Sequence, residues 1–167
     1  ADAGPFLSHT CARYNKVENE EKETGLLILD RVLYSSVHYP ANYGFIPRTI
    51  DEDGDPLDVL VLCSEPIEPM SLVRCYPIGV MYMVDGGDND DKIIAIPYGD
   101  PTYNCYTDIN QLPSHIFEEI KNFFNIYKNL EGKQTKVDEF GGPVDAAKII
   151  YKCIDIYNEK YNNSTEK

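Results

Sequence analysis

The stretch Asp51-Glu52-Asp53-Gly54-Asp55-Pro56-Leu57-Asp58-Val59-Leu60-Val61-Leu62 joins an acidic turn to a run of apolar residues. Five carboxylates fall within its first eight residues. Like charges this close raise one another's pKa unless cations lie between them. Carboxylate oxygens are hard ligands that suit Mg²⁺ or Mn²⁺. The stretch therefore predicts either a metal-binding edge at the start of a strand or a solvated acidic turn, which its glycine and proline also favour.

An EF-hand calcium loop is the first specific alternative for this stretch. Asp51, Asp53 and Asp55 match its first, third and fifth positions. The loop also needs a glycine at its sixth position and a bidentate glutamate at its twelfth. This chain has Pro56 and Leu62 there, so a calcium-sensor loop is not predicted.

The composition predicts one globular domain over residues 1–167, long enough to bury a substantial core. The 28 acidic residues outnumber the 15 basic ones, for a formal charge of −13. This charge opposes binding to nucleic acid or to an anionic membrane. An anionic substrate must therefore arrive with metal or meet a local cluster of lysine and arginine.

The location of the protein is predicted from two patterns. There is no run of about 18 apolar residues and no signal-peptide pattern, so we expect a cytoplasmic protein, an organelle after transit-peptide removal being the alternative. The cysteines are odd in number and lack CxxC spacing. They are interpreted as reduced core thiols, with neither zinc nor disulfides. They are Cys11, Cys63, Cys75, Cys105 and Cys153.

The first third of the chain contains one strongly apolar run. Residues 1–14 have no clear period, so an irregular segment is expected there. The acidic run Asn19–Thr24 should turn at Gly25. Residues 26–33 are apolar almost throughout, as in a strand buried on both faces. Two-residue alternation points Arg31 inward, where it needs an anion or a carboxylate partner.

Three further runs are predicted as strands: 59–62, 72–84 and 93–96. Pro77 and Gly79 interrupt the long one, which suggests an edge position, a bend or a bulge. A second acidic turn joins the last two strands, and hairpin geometry would hold Asp85, Asp90 and Lys92 at one end of the sheet. Short strands without βαβ alternation point to a small barrel.

Two amphipathic helices are predicted to close the chain, before a polar tail at 163–167. The first starts near Pro113 and stops before Gly132. Its apolar stripe comprises Ile116, Phe117, Ile120, Phe123, Phe124, Tyr127 and Leu130. The second begins after Gly142-Pro143. Its inward residues are Ala147, Ile150, Tyr151, Ile154 and Tyr161.

The acidic stretch resembles the D-x-D-P-x-D-V signature of the family I soluble inorganic pyrophosphatases. Other stretches are similar to that family's motifs in order and spacing, from about Lys16 to the last helix. They are Asp30-Arg31, Tyr39-Pro40-Ala41-Asn42-Tyr43-Gly44, Pro77-Ile78-Gly79, Asp85 with Asp90-Asp91-Lys92, and Phe123-Phe124-Asn125-Ile126-Tyr127-Lys128. The resemblance implies an α+β, mainly β fold, with two main α-helices packed against an OB-like five-stranded β-barrel.

The resemblance also implies an enzyme, an inorganic diphosphatase that hydrolyses pyrophosphate to two orthophosphates. It implies several Mg²⁺ ions, for which Mn²⁺ would substitute, and a homo-oligomer. The implied metal ligands are Asp53, Asp58, Asp85, Asp90 and Glu18. Asp55 is implied to orient and deprotonate the attacking water. The implied phosphate-binding residues are Lys16, Arg31, Tyr43, Lys92, Tyr127 and Lys128, with Tyr39 supporting the site.

Three departures from the family pattern stand out. Residues 1–14 lack the acidic residue in an E-I-P-like context with which the family begins its barrel. One extra residue lies between Glu18 and Gly25, and Met70 stands where the family commonly has a turn glycine. Two alternatives therefore stay open: a non-catalytic, metal-binding OB-like barrel, and an OB-type nucleic-acid module, which the negative charge disfavours.

Overall fold

A computed structural model describes residues 5–10, 16–20 and 27–161, with side chains from residue 29 onward. The predicted turn at Gly25, the polar tail at 163–167 and Cys11 lie outside these residues. The strands are β1 (Pro5–Thr10), β2 (Lys16–Glu20), β3 (Leu27–Val32), β4 (Asn42–Phe45), β5 (Asp58–Val61), β6 (Ser71–Asp85), β7 (Asp88–Asn89), β8 (Lys92–Pro97) and β9 (Thr135–Gly141). The helices are α1 (Ser114–Ile126), α2 (Pro143–Tyr161) and the 3₁₀ helices η1 (Ile109–Gln111) and η2 (Asn129–Glu131).

Five of the strands form a circuit of hydrogen-bonded neighbours. Strand β1 pairs with β4, β4 with β5, β5 with β8, β8 with β6, and β6 again with β1. All of these pairs are antiparallel except β5 with β8. This is the pairing expected of the predicted five-stranded barrel, and the mainly β fold with two α-helices is as predicted. Strands β7 and β9 extend β6, while β2 and β3 form a separate two-stranded sheet.

The two helices cover opposite faces of the central strands. Successive side chains of a strand point to opposite faces of a sheet. The unbroken apolar runs of β5 and β8 therefore place apolar side chains on both faces. Leu60 and Ile94 lie in one core cluster, together with Phe124 of α1. Val59 of β5 lies in the other cluster, together with Ile150 of α2. Burial on both faces fixes the register of β5 and β8, the strands that begin with Asp58 and Lys92.

The N-terminal segment differs from its prediction over Pro5–Thr10, which is strand β1 rather than irregular chain. Leu7 lies opposite both Phe45 of β4 and Leu72 of β6. These partners are far away in the sequence, so the local pattern of residues 1–14 does not reveal the pairing. Strand formation here is set by tertiary contacts rather than by local periodicity.

The prediction that residues 26–33 are buried on both faces is wrong for most of the described side chains, although Leu33 is buried. Leu29 and Val32 are each more than half exposed. Strand β3 pairs with β2 in the small two-stranded sheet, and Val17 of β2 lies opposite Arg31. An apolar run shows that a strand is able to be covered, but it does not show which element covers it.

The helices are confirmed, but their ends and faces need corrections. Helix α1 ends at Ile126, and Leu130 lies in η2 with its side chain mostly exposed. In α2 the buried residues are Ala146, Ile150 and Cys153, whereas Tyr151 and Tyr161 are about half exposed. Neighbouring faces of α2 are similarly apolar, so the helical spacing of apolar residues did not show which face is buried.

Strand β9 was not predicted. Its residues alternate poorly between apolar and polar, with Val137 its one buried side chain. It pairs along the second half of β6, where Val84 lies opposite Lys136. The pairing, rather than the composition, makes this segment a strand.

The interruption predicted in β6 is a bulge. The register between β6 and β8 shifts between Pro77 and Gly79. A Cβ atom at Gly79 would lie 2.4 Å from Cγ2 of Ile109 and 2.7 Å from the carbonyl oxygen of Gly141. Glycine is therefore required by the close approach of η1 and β9 to this strand.

The cysteine prediction is confirmed for two of the described thiols. Cys75 and Cys153 are buried, and burial raises the pKa of each thiol to about 12. Cys63 is half-buried and Cys105 is exposed, so the prediction of a core thiol is wrong for Cys105. The described cysteines are free thiols. No helix among the described residues is long and apolar enough to cross a membrane.

Two non-glycine residues adopt left-handed backbone angles: Arg48 with φ 60° and Met70 with φ 66°. Each follows a proline in a turn, at the position that type II turns usually give to glycine. Met70 therefore bears the backbone strain at the place where the family pattern has glycine. Arg48 is exposed, so its strain can be relieved without loss of core packing.

We expect Arg48→Gly to stabilise the fold by about 1 kcal/mol, because the left-handed conformation costs a residue with Cβ roughly 1–2 kcal/mol. Urea unfolding of the wild type and the variant measures the difference. Arg48→Ala is the matched control, since it removes the same side chain but keeps Cβ. An equal gain for both variants would mean that the side chain, and not the backbone angle, is responsible.

Candidate functional site

The start of the central strands brings an acidic and a basic residue together. Strands β5 and β8 run parallel, with Asp58 opposite Lys92 as the first residue of each strand. Strand β6 runs antiparallel to β8, with Met81 opposite Lys92, so its last residue, Asp85, extends past the start of β8. The backbone N–H of Asp90 donates to the carbonyl of Met83 at 3.0 Å. Asp85, Asp90 and Lys92 thus lie at one end of the sheet, as the hairpin predicted.

Lys92 is the centre of this site. Its side chain is only 1% exposed, and Nζ donates to Oδ2 of Asp58 and to Oδ1 of Asp90, both at 2.8 Å. The hydroxyl of Tyr43 donates to the same oxygen of Asp58. Nζ also lies 5.4 Å from the ring centroid of Tyr43 and 5.7 Å from that of Phe124. A buried ammonium is therefore held between two carboxylates above an aromatic surface.

The electrostatics keep Lys92 charged and Tyr43 protonated. Burial alone would lower the pKa of Lys92. The neighbouring Tyr43, Asp58 and Asp90 together raise the pKa by more than burial lowers it, so the net shift is upward. Burial, with the charge of Asp58, raises the pKa of Tyr43 well above its usual value. Burial also raises the pKa of Asp90; Lys92 lowers it in part, and Asp58 and Asp85 raise it again. The acidic side chains of this edge are thus close enough to influence one another.

A second ion pair lies beside the first. Nζ of Lys128 donates to Oδ2 of Asp85, and it lies 5.2 Å from the ring centroid of Tyr127. Both Tyr127 and Tyr39 are buried, and burial raises the pKa of each hydroxyl. The ring of Phe123 stacks on Tyr127 with centroids 5.2 Å apart and contacts Tyr39 at 4.7 Å. The aromatic residues near the end of α1 therefore form a packed support beside the two lysines.

Arg31 of β3 has two carboxylate neighbours. Its Nη1 pairs with Asp30 at 2.6 Å, and its Nε lies 3.4 Å from Oε1 of Glu131 in η2. Arg31 contributes to the electrostatics of both Tyr39 and Tyr127, so the guanidinium lies on the side of the aromatic support. A carboxylate partner for Arg31 was among the predicted alternatives, and Asp30 is one such partner.

The acidic turn is held by hydrogen bonds between its own residues. The N–H of Asp51 donates to the carbonyl of Asp55 at 2.8 Å, and the N–H of Asp55 donates to Oδ1 of Asp53 at 2.9 Å. Gly54 provides the left-handed angle, with φ 91°. Asp53 and Asp55 are exposed, a few residues before Asp58. Over the described part of the chain, no three His, Cys, Asp or Glu side chains lie close enough to share a metal ion.

Lys16 and Glu18 are described only by their backbone. They lie in β2, opposite Val32 and Leu29 of β3. The two strands place them in the small sheet that carries Arg31. The register shifts between Val17 and Glu18, next to the segment in which this chain has one residue more than the family pattern.

Two residues of this region were not predicted from the sequence to belong to the site. Phe124 was assigned to the core stripe of α1, and its contact with Lys92 follows from the strand register that brings Lys92 beneath it. Glu131 gave no signal apart from its place three residues after Lys128. It is recognised by its distance to Arg31, which depends on the tertiary fold.

Comparison with known proteins gives a consistent result. The family model described as "Inorganic pyrophosphatase" matches residues 10–158. "Soluble inorganic pyrophosphatase 2" of Chlamydomonas reinhardtii is 53% identical over 163 residues, which cover 96% of this chain and 85% of the relative. The inorganic pyrophosphatase structure from Helicobacter pylori has a TM-score of 0.89 at 40% identity, covering 94% of this chain and 95% of that one. The Thermus thermophilus structure has a TM-score of 0.88 at 33% identity, covering 92% and 90%.

Proposed function

Because this chain belongs to the inorganic pyrophosphatase family, we propose that the edge formed by β5, β6 and β8 is where it hydrolyses pyrophosphate to two orthophosphates. The family is metal-dependent, and its named relatives are enzymes. The alternative of a non-catalytic barrel therefore has no support. The observation that carries the assignment of the site is the buried Lys92, held at 2.8 Å from both Asp58 and Asp90.

The donor chemistry of this edge fits a hard divalent cation. All of the candidate ligands offer carboxylate oxygens, and Asp58 and Asp90 already converge on one cationic nitrogen. We assign the metal as Mg²⁺, with Mn²⁺ as a substitute. When bound, it would neutralise phosphoryl oxygens and lower the pKa of a coordinated water. The residues that would hold it are Asp53, Asp58, Asp85, Asp90 and Glu18.

The basic and phenolic side chains supply the phosphate contacts. Lys92 and Lys128 each form an ion pair with a carboxylate at this edge, so they place positive charge where an anionic substrate would bind. The raised pKa of Tyr43 and of Tyr127 keeps their hydroxyls as hydrogen-bond donors. The full set assigned to phosphate binding is Lys16, Arg31, Tyr43, Lys92, Tyr127 and Lys128, and buried Tyr39 supports it through its ring contacts.

Asp55 is assigned as the general base. It is exposed and lies in the turn that leads into Asp58, so a water molecule can reach its carboxylate. The hydrogen bonds of the turn use the backbone of Asp55 and leave its side chain out of those contacts. It would orient the attacking water and accept its proton.

We further propose a homo-oligomeric protein of the cytoplasm that binds neither nucleic acid nor membrane. The formal charge of −13 disfavours both of these anionic partners. The free thiols of the described cysteines are consistent with a reducing compartment. Sedimentation at several protein concentrations tests the oligomer.

Phosphate release tests the activity. We expect the purified protein to release two phosphates per pyrophosphate in millimolar Mg²⁺, to stop when the metal is chelated, and to recover when Mg²⁺ is added back. Release is measured by a colorimetric phosphate assay. The proposed function is contradicted if the folded protein in Mg²⁺ releases no phosphate above the uncatalysed rate.

A further inference from the structure

The contact between Arg31 and Glu131 is an ion pair without a hydrogen bond. Nε of Arg31 and Oε1 of Glu131 are 3.4 Å apart, and both atoms are buried. Neither atom has a hydrogen-bond partner among the described residues. Arg31 nevertheless has one well-formed contact, from Nη1 to Asp30 at 2.6 Å. The guanidinium is thus held between two carboxylates, while the Arg31 side chain as a whole remains 33% exposed.

Two features hold Glu131 near Arg31. Its side chain is only 9% exposed, so its charge needs a nearby cation. Its backbone is fixed as well, because its N–H donates to the carbonyl of Lys128 at 3.0 Å and Gly132 ends η2 with φ 73°. Lys128, at the start of the same turn, pairs with Asp85. One short helix therefore sets the position of a partner for Arg31 and of Lys128.

The position of Arg31 suits it to bind an anion. The guanidinium lies on the same side as Tyr39 and Tyr127, whose hydroxyls respond to its charge. Phosphate oxygens are strong acceptors, and guanidinium groups bind phosphate through several N–H donors at once. A carboxylate that attracts Arg31 from its buried side orients the group and leaves its exposed part for another anion.

We propose that Glu131 is a positioning residue for the substrate: it fixes the buried side of the Arg31 guanidinium by charge, so that the exposed part of the side chain is oriented to bind a phosphate oxygen of pyrophosphate. This inference rests on the proposed function and extends it to a residue that has no assigned role. It predicts an effect of Glu131 on substrate affinity that depends on Arg31 and that leaves the chemical step almost unchanged.

A double-mutant cycle is the test. We expect Glu131→Gln, which keeps the shape but removes the charge, to raise KM for pyrophosphate about tenfold, with kcat within about twofold of the wild type. In an Arg31→Ala background the same substitution should raise KM no further. Glu159→Gln, an equivalent change at an exposed position of α2, is the matched control and should leave both constants unchanged.

Two further measurements separate positioning from a general structural effect. The affinity for methylenediphosphonate, a pyrophosphate analogue that is not hydrolysed, should fall by the same factor of about ten when titrated calorimetrically. Arg31→Lys retains a positive charge near Glu131 but lacks the planar guanidinium, so it should raise KM by a similar factor even if Glu131→Gln does not fold.

The outcomes are distinct. If the wild type is active but Glu131→Gln leaves KM unchanged, raises it equally in both backgrounds, or lowers it, the role of Glu131 is overturned while the proposed function stands. A fall in KM would mean that Glu131 competes with substrate for Arg31. If the wild type releases no phosphate, it is the proposed function that fails.

Discussion

Asp55→Asn is expected to lower kcat by about 10²–10⁴, the usual contribution of a general base. Asparagine keeps the shape of the side chain but loses its charge and nearly all of its basicity, so the proton of the attacking water has no acceptor. Because Asp55 is exposed and its backbone contacts do not involve its carboxylate, the fold of the turn should persist. Thermal unfolding of the variant checks that it does.

A Mg²⁺ titration of the rate distinguishes a base from a metal ligand. Extra Mg²⁺ should not restore Asp55→Asn. Asp58→Asn should instead show a higher Mg²⁺ requirement, with part of its activity recovered at high metal. Rescue of Asp55→Asn by Mg²⁺, together with a metal-insensitive loss in Asp58→Asn, would show that the two roles are reversed.

Lys92→Met is expected to destabilise the fold by about 3–5 kcal/mol, the usual effect of removing one partner from a buried ion pair. Methionine occupies a similar volume, so the loss comes mainly from leaving Asp58 and Asp90 facing each other without the ammonium between them. Activity should fall with it, because Lys92 is assigned to bind phosphate. Urea unfolding at neutral pH without metal measures the change in the free energy of unfolding.

Lys152→Met is the matched control for that measurement. Lys152 also forms an ion pair, at 2.5 Å with Glu52, but both side chains are about half exposed. Water screens such a pair, so this variant should unfold almost as the wild type does. Equal destabilisation of the two variants would show that burial of Lys92 does not set the size of the effect.

The sequence predicted the parts of the site that depend on local pattern. An acidic turn directly before an apolar run places Asp58 at the start of a strand, and the hairpin after Val84 returns the chain to Lys92. The parallel pairing that sets these two residues opposite each other was not in the pattern, because it joins segments that are separated by a long stretch of chain. The assignments of Asp53, Asp55 and Glu18 still come from the family resemblance and await the experiments above.

The errors have a common physical origin. Strands β1 and β9 have mixed composition and exist because β6 provides hydrogen-bond partners along its length. Tyr151 and Tyr161 lie on a face of α2 that is apolar enough to be buried but is not the face that meets the sheet. Glu131 is polar and outside every motif, and its importance depends on a guanidinium contributed by a distant strand.

The position of β1 between β4 and β6 bears on how the protein avoids association through its strands. A strand at the border of a sheet presents unpaired N–H and C=O groups, which another chain is able to pair with. Here Leu7 and Ser8 pair on one side with β4 and on the other with the first residues of β6. One short segment therefore occupies two borders at once, and its detachment would expose both as templates for aggregation.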